Sequence, residues 1–204
     1  PNTLTPLGPV TTYPGAINGE NDLFRPKRGD YRDGGQGPVV DGNVPCLPQM
    51  SNDYHIHVFL GLIVNGKMIA VPHAIGMVHP GLQVSGWTNS AQCFYEIHTH
   101  DSSGIIHLEV AQFLPLTTAY YHLKDLFDVW GVPYGKDSIG PFQGPIHVFI
   151  GQVPLKQLTV NSYRPYARKF TTIPLYSHEA IWIEVGDQYF QASQLPPVKF
   201  YMEY

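Results

Sequence analysis

Charge, cysteine and helix-favouring runs are all scarce in this 204-residue sequence. Charged residues make up 14% of it and the net charge is −4, so there is no electrostatic case for a nucleic-acid partner. No apolar run approaches the roughly 20 residues of a membrane-spanning helix. The sequence has no Gly-rich phosphate loop with its Lys, no Gly-x-Ser-x-Gly elbow and no His-Glu-x-x-His. The two cysteines, Cys46 and Cys93, are not a redox Cys-x-x-Cys pair.

Turn formers are plentiful instead, with 20 Gly, 19 Pro and 13 Tyr. That composition points to a mainly β protein, with antiparallel hairpins forming a sandwich or barrel-like domain. The length suits one domain, or one domain with an arm. Residues 1–50 run through Pro-Gly, Asn-Gly and Gly-Gly-Gln-Gly with few apolar side chains, and read as an extended arm. Such an arm covers its own domain or reaches a neighbouring copy. Arg28-Gly29-Asp30 within it is ordinary turn chemistry. The chain opens at Pro1 without Met, as a processed, mature product would.

Residues 51–204 read as the β-rich domain. Tyr54 to Val64, then Asn65-Gly66, then Lys67 to Val71 is a hairpin signal. One helix is expected over 117–130, where Tyr120, Leu123, Leu126, Phe127 and Trp130 recur at helical spacing before Gly131. Further strands are expected at Ile146–Val153, Ala180–Val185 and Val198–Tyr204. Ile56 to Gly61 echoes Ile146 to Gly151 at five of six positions, which makes His147 a counterpart of His57 and a reserve ligand. An even cysteine pair in a Tyr-rich chain suggests a Cys46–Cys93 disulfide and an oxidising, extracytoplasmic or secreted location. On a chain-entropy basis such a bridge stabilises by roughly 4 kcal/mol. Two buried free thiols are the alternative.

The histidines cluster in two strand-like segments, Tyr54-His55-Ile56-His57-Val58 and Glu96-Ile97-His98-Thr99-His100-Asp101-Ser102-Ser103-Gly104-Ile105-Ile106-His107-Leu108-Glu109. Alternate residues of a strand share a face, so His55 pairs with His57 and His98 with His100. Asp-Ser-Ser-Gly suits a hairpin loop of about four residues. His100 then opposes Ile105, His98 opposes His107 and Glu96 opposes Glu109, and all but Ile105 share a polar face. A lone strand histidine is usually a surface or hydrogen-bonded residue. Two His-x-His pairs with His-x-Glu instead supply the donors a divalent transition metal takes: zinc, copper or iron. His98, His100, His107, His55 and His57 are the candidate ligands, with Glu96, Glu109 and Asp101 as outer partners or further ligands. A metal-free polar network is the competing reading. Asp101 also has the plain role of opening a turn.

The His-x-His segment, the Val64-Asn65-Gly66 turn and the run from Cys93 to Glu109 resemble a family of exported bacterial proteins with a histidine hairpin. Leu126 to Gly131, Ile173-Pro174-Leu175, His178 and Glu184-Val185-Gly186 fit the same pattern, which covers roughly residues 46–186. The resemblance implies export and a shared pattern, not a reaction. Locally, His98-x-His100 is similar to the cupin metal motif, without its following Glu. His98, His100 and His107 are similar to the three zinc histidines of alpha-type carbonic anhydrases. Both are likenesses of local geometry alone.

Three functions are open at this point. One is an extracytoplasmic metal-binding protein. The second is a metal-dependent enzyme, a hydratase, hydrolase or cupin-like oxygenase, with Glu109 or Asp101 as general base. The third is a self-assembling subunit, a homo-oligomer or filament whose arm docks on a neighbour.

Overall fold

The computed structural model describes residues 44–201, so nearly all of the expected arm (1–43) lies outside the described residues. Residues 44–50 belong to the packed domain: Val44 is buried, and Cys46–Leu47 form strand β1. The chain continues through β2 (Tyr54–Val64), β3 (Lys67–Ile69), β4 (Met77–Val78), β5 (Cys93–Tyr95), β6 (Ile97–His98) and β7 (Ile105–Val110). Helix α1 (Leu123–Trp130) precedes β8 (Tyr134–Gly135), β9 (Ser138–Ile139), β10 (Phe142–Gln143) and β11 (Ile146–Gln152). The last strands are β12 (Thr159–Val160), β13 (Arg164–Pro165), β14 (Glu179–Val185) and β15 (Val198–Lys199). The protein is mainly β, with its sheets in a sandwich-like arrangement. No helix among the described residues is long and apolar enough to cross a membrane.

One sheet organises the molecule, in the order β13-β11-β14-β2-β7-β6, with β3 also on β2. The β2–β3 turn forms as its Asn-Gly pair predicts: Asn65 and Gly66 have φ of 46° and 77°, the left-handed values of a type I′ turn. At the sheet centre β2 and β14 run parallel, a pairing that hairpin reasoning does not reach. The two echoed segments, in β2 and β11, flank β14 and run antiparallel to each other. His147 pairs with Glu184, which lies opposite Ile63, six residues along β2 from His57. The echo therefore sends His147 to the far end of the sheet, where its ring stacks on Tyr189 at 3.6 Å.

The strand period of two assigns each face. Ile56, Val58, Leu60 and Leu62 join Ile106, Leu108, Ile181 and Ile183 in the main core, against Leu123, Leu126, Phe127 and Trp130 of α1. The other face carries Phe59, Ile63, Phe149 and Trp182, covered by Phe190, Leu195, Val198 and Phe200 from the C-terminal segment. By the same parity His55, His57, His107 and Glu109 lie on this second face, beyond its apolar stretch.

Helix α1 begins at Leu123, six residues later than its periodicity predicts. His122 and Asp125 form a capping box, with the His122 N–H donating to Asp125 Oδ2 at 2.8 Å. Tyr121 is held in extended structure, accepting from the Leu175 N–H. Cys46 and Cys93 form a disulfide that ties β1 to β5.

Gly61 is fixed by packing: a Cβ there would meet the Trp182 ring at 2.3 Å. Gly61→Ala is expected to destabilise the fold by about 1–3 kcal/mol, the usual cost of overpacking a core. Urea unfolding should show a lower midpoint with unchanged slope.

Candidate metal centre

Three strands build the site. The β2–β7 register sets His55 opposite Glu109 and His57 opposite His107. The β6–β7 register sets His98 opposite His107, as the hairpin reading expects. These side chains are buried: His98 is 0% exposed, His100 3%, His107 6% and Glu109 5%, while His55 keeps 16%.

The hairpin itself departs from its simplest form. The strand expected over 93–100 changes sheet at Glu96, with β5 pairing β1 and β4 while β6 joins the large sheet. The β6–β7 ladder ends at His98, so His100 and Ile105 do not pair, although Ile105 still lies opposite Phe59 on the β2 side. The cause is a competing set of bonds. Thr99 N–H donates to Ile75 O, its Oγ1 donates to Pro72 O, and it accepts from the Ile75 N–H. This pulls the chain after His98 out of the sheet and turns His100 beneath Trp87. The two rings stack at 4.3 Å with planes 4° apart.

The donor atoms converge. His98 Nε2 and His100 Nε2 are 3.2 Å apart. His55 Nε2 lies 3.3 Å from His107 Nδ1 and 3.4 Å from Glu109 Oε1. Glu109 Oε1 is also 3.7 Å from both His98 Nε2 and His107 Nδ1. Four donors bonded tetrahedrally at about 2.0–2.1 Å stand roughly 3.3–3.4 Å from one another. The observed spacings are close to that.

Hydrogen bonds fix the state of two rings. His98 Nδ1 lies 2.8 Å from the Tyr95 carbonyl, and His100 Nδ1 lies 2.6 Å from the Thr88 carbonyl. A carbonyl only accepts, so both Nδ1 atoms carry hydrogen. In the neutral rings both Nε2 atoms are then lone pairs, facing each other across 3.2 Å in a buried space. A shared proton, a donating water or a metal ion satisfies that pair. Such carbonyl contacts are the outer partners that orient ligating histidines.

Burial favours the neutral, metal-ready rings. It lowers His100 to about 4, helped by the neighbouring His98 and opposed by the Thr88 bond and Glu109. His107 is held well below the ordinary histidine value by burial and by His57, His98, His100 and His55. Burial also lowers His55, against the pull of Glu109. At Glu109, burial pushes upward, but the neighbouring imidazoles of His98, His55 and His100 hold the carboxyl below its usual value.

The two remaining acidic candidates are engaged elsewhere. Glu96 accepts from the Tyr121 hydroxyl at 2.5 Å and from the Ala111 N–H at 3.0 Å. Asp101 accepts from the Ser103 N–H and hydroxyl at 3.1 and 2.5 Å, the turn role its position implies. Trp87, Thr88 and Tyr95 escape sequence reading. Thr88 and Tyr95 act through main-chain carbonyls, which leave no residue signature. Trp87 belongs to a segment whose Gly and Pro content marks it only as a loop.

Replacing His100 by Asn removes one titrating ring. Because the folded value lies below the unfolded one, the wild-type contribution is intact above about pH 6.5 and is lost as pH falls towards 4. Metal-free wild type should therefore lose roughly 2–4 kcal/mol relative to His100→Asn between those limits, read by urea unfolding at each pH.

Comparison with family models, with curated proteins and with solved structures finds no match for this chain.

Proposed function

We propose that this protein binds a divalent transition metal outside the cytoplasm, through the histidine cluster on β2, β6 and β7. The observation that carries the reading is the facing pair of Nε2 lone pairs on His98 and His100, locked by the Tyr95 and Thr88 carbonyls. Without a metal ion that pair must share a proton or take a donating water in a buried space, whereas a metal ion takes both nitrogens as ligands in the neutral rings. With both cysteines in the disulfide, the donors are imidazole nitrogens and a carboxylate oxygen. That set suits zinc, copper, nickel or iron over calcium or magnesium. The disulfide supports an oxidising compartment.

Zinc- or copper-loaded protein, desalted at pH 7, should retain metal by elemental mass spectrometry. His98→Ala/His100→Ala should retain less, and His147→Ala should match wild type. Equal retention in the double variant, or none in wild type, would sink the reading. Wild-type metal should be released as the pH is lowered towards 4, where His100 takes up its proton.

A further inference from the structure

The six donors do not form a single shell. They fall into two groups, His55, His57 and His107, and His98, His100 and Glu109. Within each group all ligand atoms lie within 4.8 Å of one another. Each group contains a close nitrogen pair, at 3.3 Å between His55 and His107 and at 3.2 Å between His98 and His100. One atom belongs to both groups by distance. Glu109 Oε1 lies 3.7 Å from His98 Nε2 in its own group, and 3.4 and 3.7 Å from His55 Nε2 and His107 Nδ1 in the other.

We propose that the cluster holds two transition-metal ions bridged by the Glu109 carboxylate. This rests on the metal-binding reading above. His55, His57 and His107 hold the first ion, and His98 and His100 hold the second. A carboxylate oxygen within one coordination edge of donors on both sides is where a bridging ligand sits, and paired ions in such sites stand about 3.5–4 Å apart. The anion between the ions reduces their repulsion in a buried site, where it is otherwise strongest.

The two positions are unequal. Counting the bridge, the first ion has four protein donors, which closes a tetrahedral shell. The second has three, and so keeps a position for water or a small anionic ligand. Trp87 stacks on the His100 ring beside this second group.

The test uses the full chain, stripped with chelator, reloaded with zinc(II) and desalted. Elemental analysis should give about two zinc ions per chain. His55→Ala/His57→Ala and His98→Ala/His100→Ala should each keep about one. Crystals of the zinc-loaded wild type should show two anomalous peaks at the zinc edge, about 3.5–4 Å apart. These wild-type measurements stand even if a variant misfolds. One zinc and a single anomalous peak would overturn the two-ion site and leave the metal-binding reading intact. No bound metal in wild type reloaded with zinc(II), nor in parallel samples reloaded with copper(II) or iron(II), would overturn both.

Discussion

Two main-chain hydrogen bonds govern this molecule's chemistry. By accepting from Nδ1 of His98 and His100, the carbonyls of Tyr95 and Thr88 force both remaining lone pairs into one buried space. Polar atoms out of water are costly unless partnered, and acceptors facing acceptors are the least favourable case. The fold accepts that cost at one end of one sheet face. The rest of the same face is apolar, filled by Phe59, Ile63 and Trp182. A rigid apolar neighbourhood keeps the donors from relaxing into ordinary hydrogen bonds, which is the preorganisation that a binding site requires.

The surrounding segments hold that geometry in place. The Thr99 clamp on residues 72–75 redirects the chain after His98. Thr88 then grips His100 twice, donating its N–H to the His100 carbonyl at 2.9 Å and accepting from Nδ1 at 2.6 Å. On the other side, the disulfide fixes β5 just before the chain changes sheet at Glu96. The Tyr121 hydroxyl occupies Glu96, so the carboxylate nearest the change of sheet is satisfied outside the donor cluster. Glu109 is left as the acidic group among the histidines.

The donor strands were legible because strand parity is a short-range rule. Counting in twos puts His98, His107 and Glu109 on one face of their hairpin and His55 with His57 on one face of theirs, while the β2–β7 pairing that joins the two sets is visible only in the fold. The Asn65-Gly66 turn and the cysteine pair were equally direct. Strand parity places His100 in the ladder, because nothing local in Thr99 reveals that its hydroxyl binds a residue 27 positions away. The helix start was misjudged for a related reason: Tyr120 continues the apolar period, but tertiary pairing of Tyr121 and the cap at His122 end the helix first. Backbone carbonyl partners, a parallel strand pairing and the stacking of Trp87 are all products of long-range packing, and residue type does not encode them.

The donors are spread from His55 to Glu109, so the unfolded chain presents only two separate His-x-His pairs. The full set exists only once β2, β6 and β7 have paired and the Thr88 segment has closed over His100. For the proposed metal, loading would follow folding, and folding includes closure of a disulfide 47 residues in span. First-row metals bind a given nitrogen site in a general order of strength, so selectivity also depends on geometry and on which metal is available. Under the proposed function, the metal available where the chain folds then acts together with the donor set in deciding which ion the site takes.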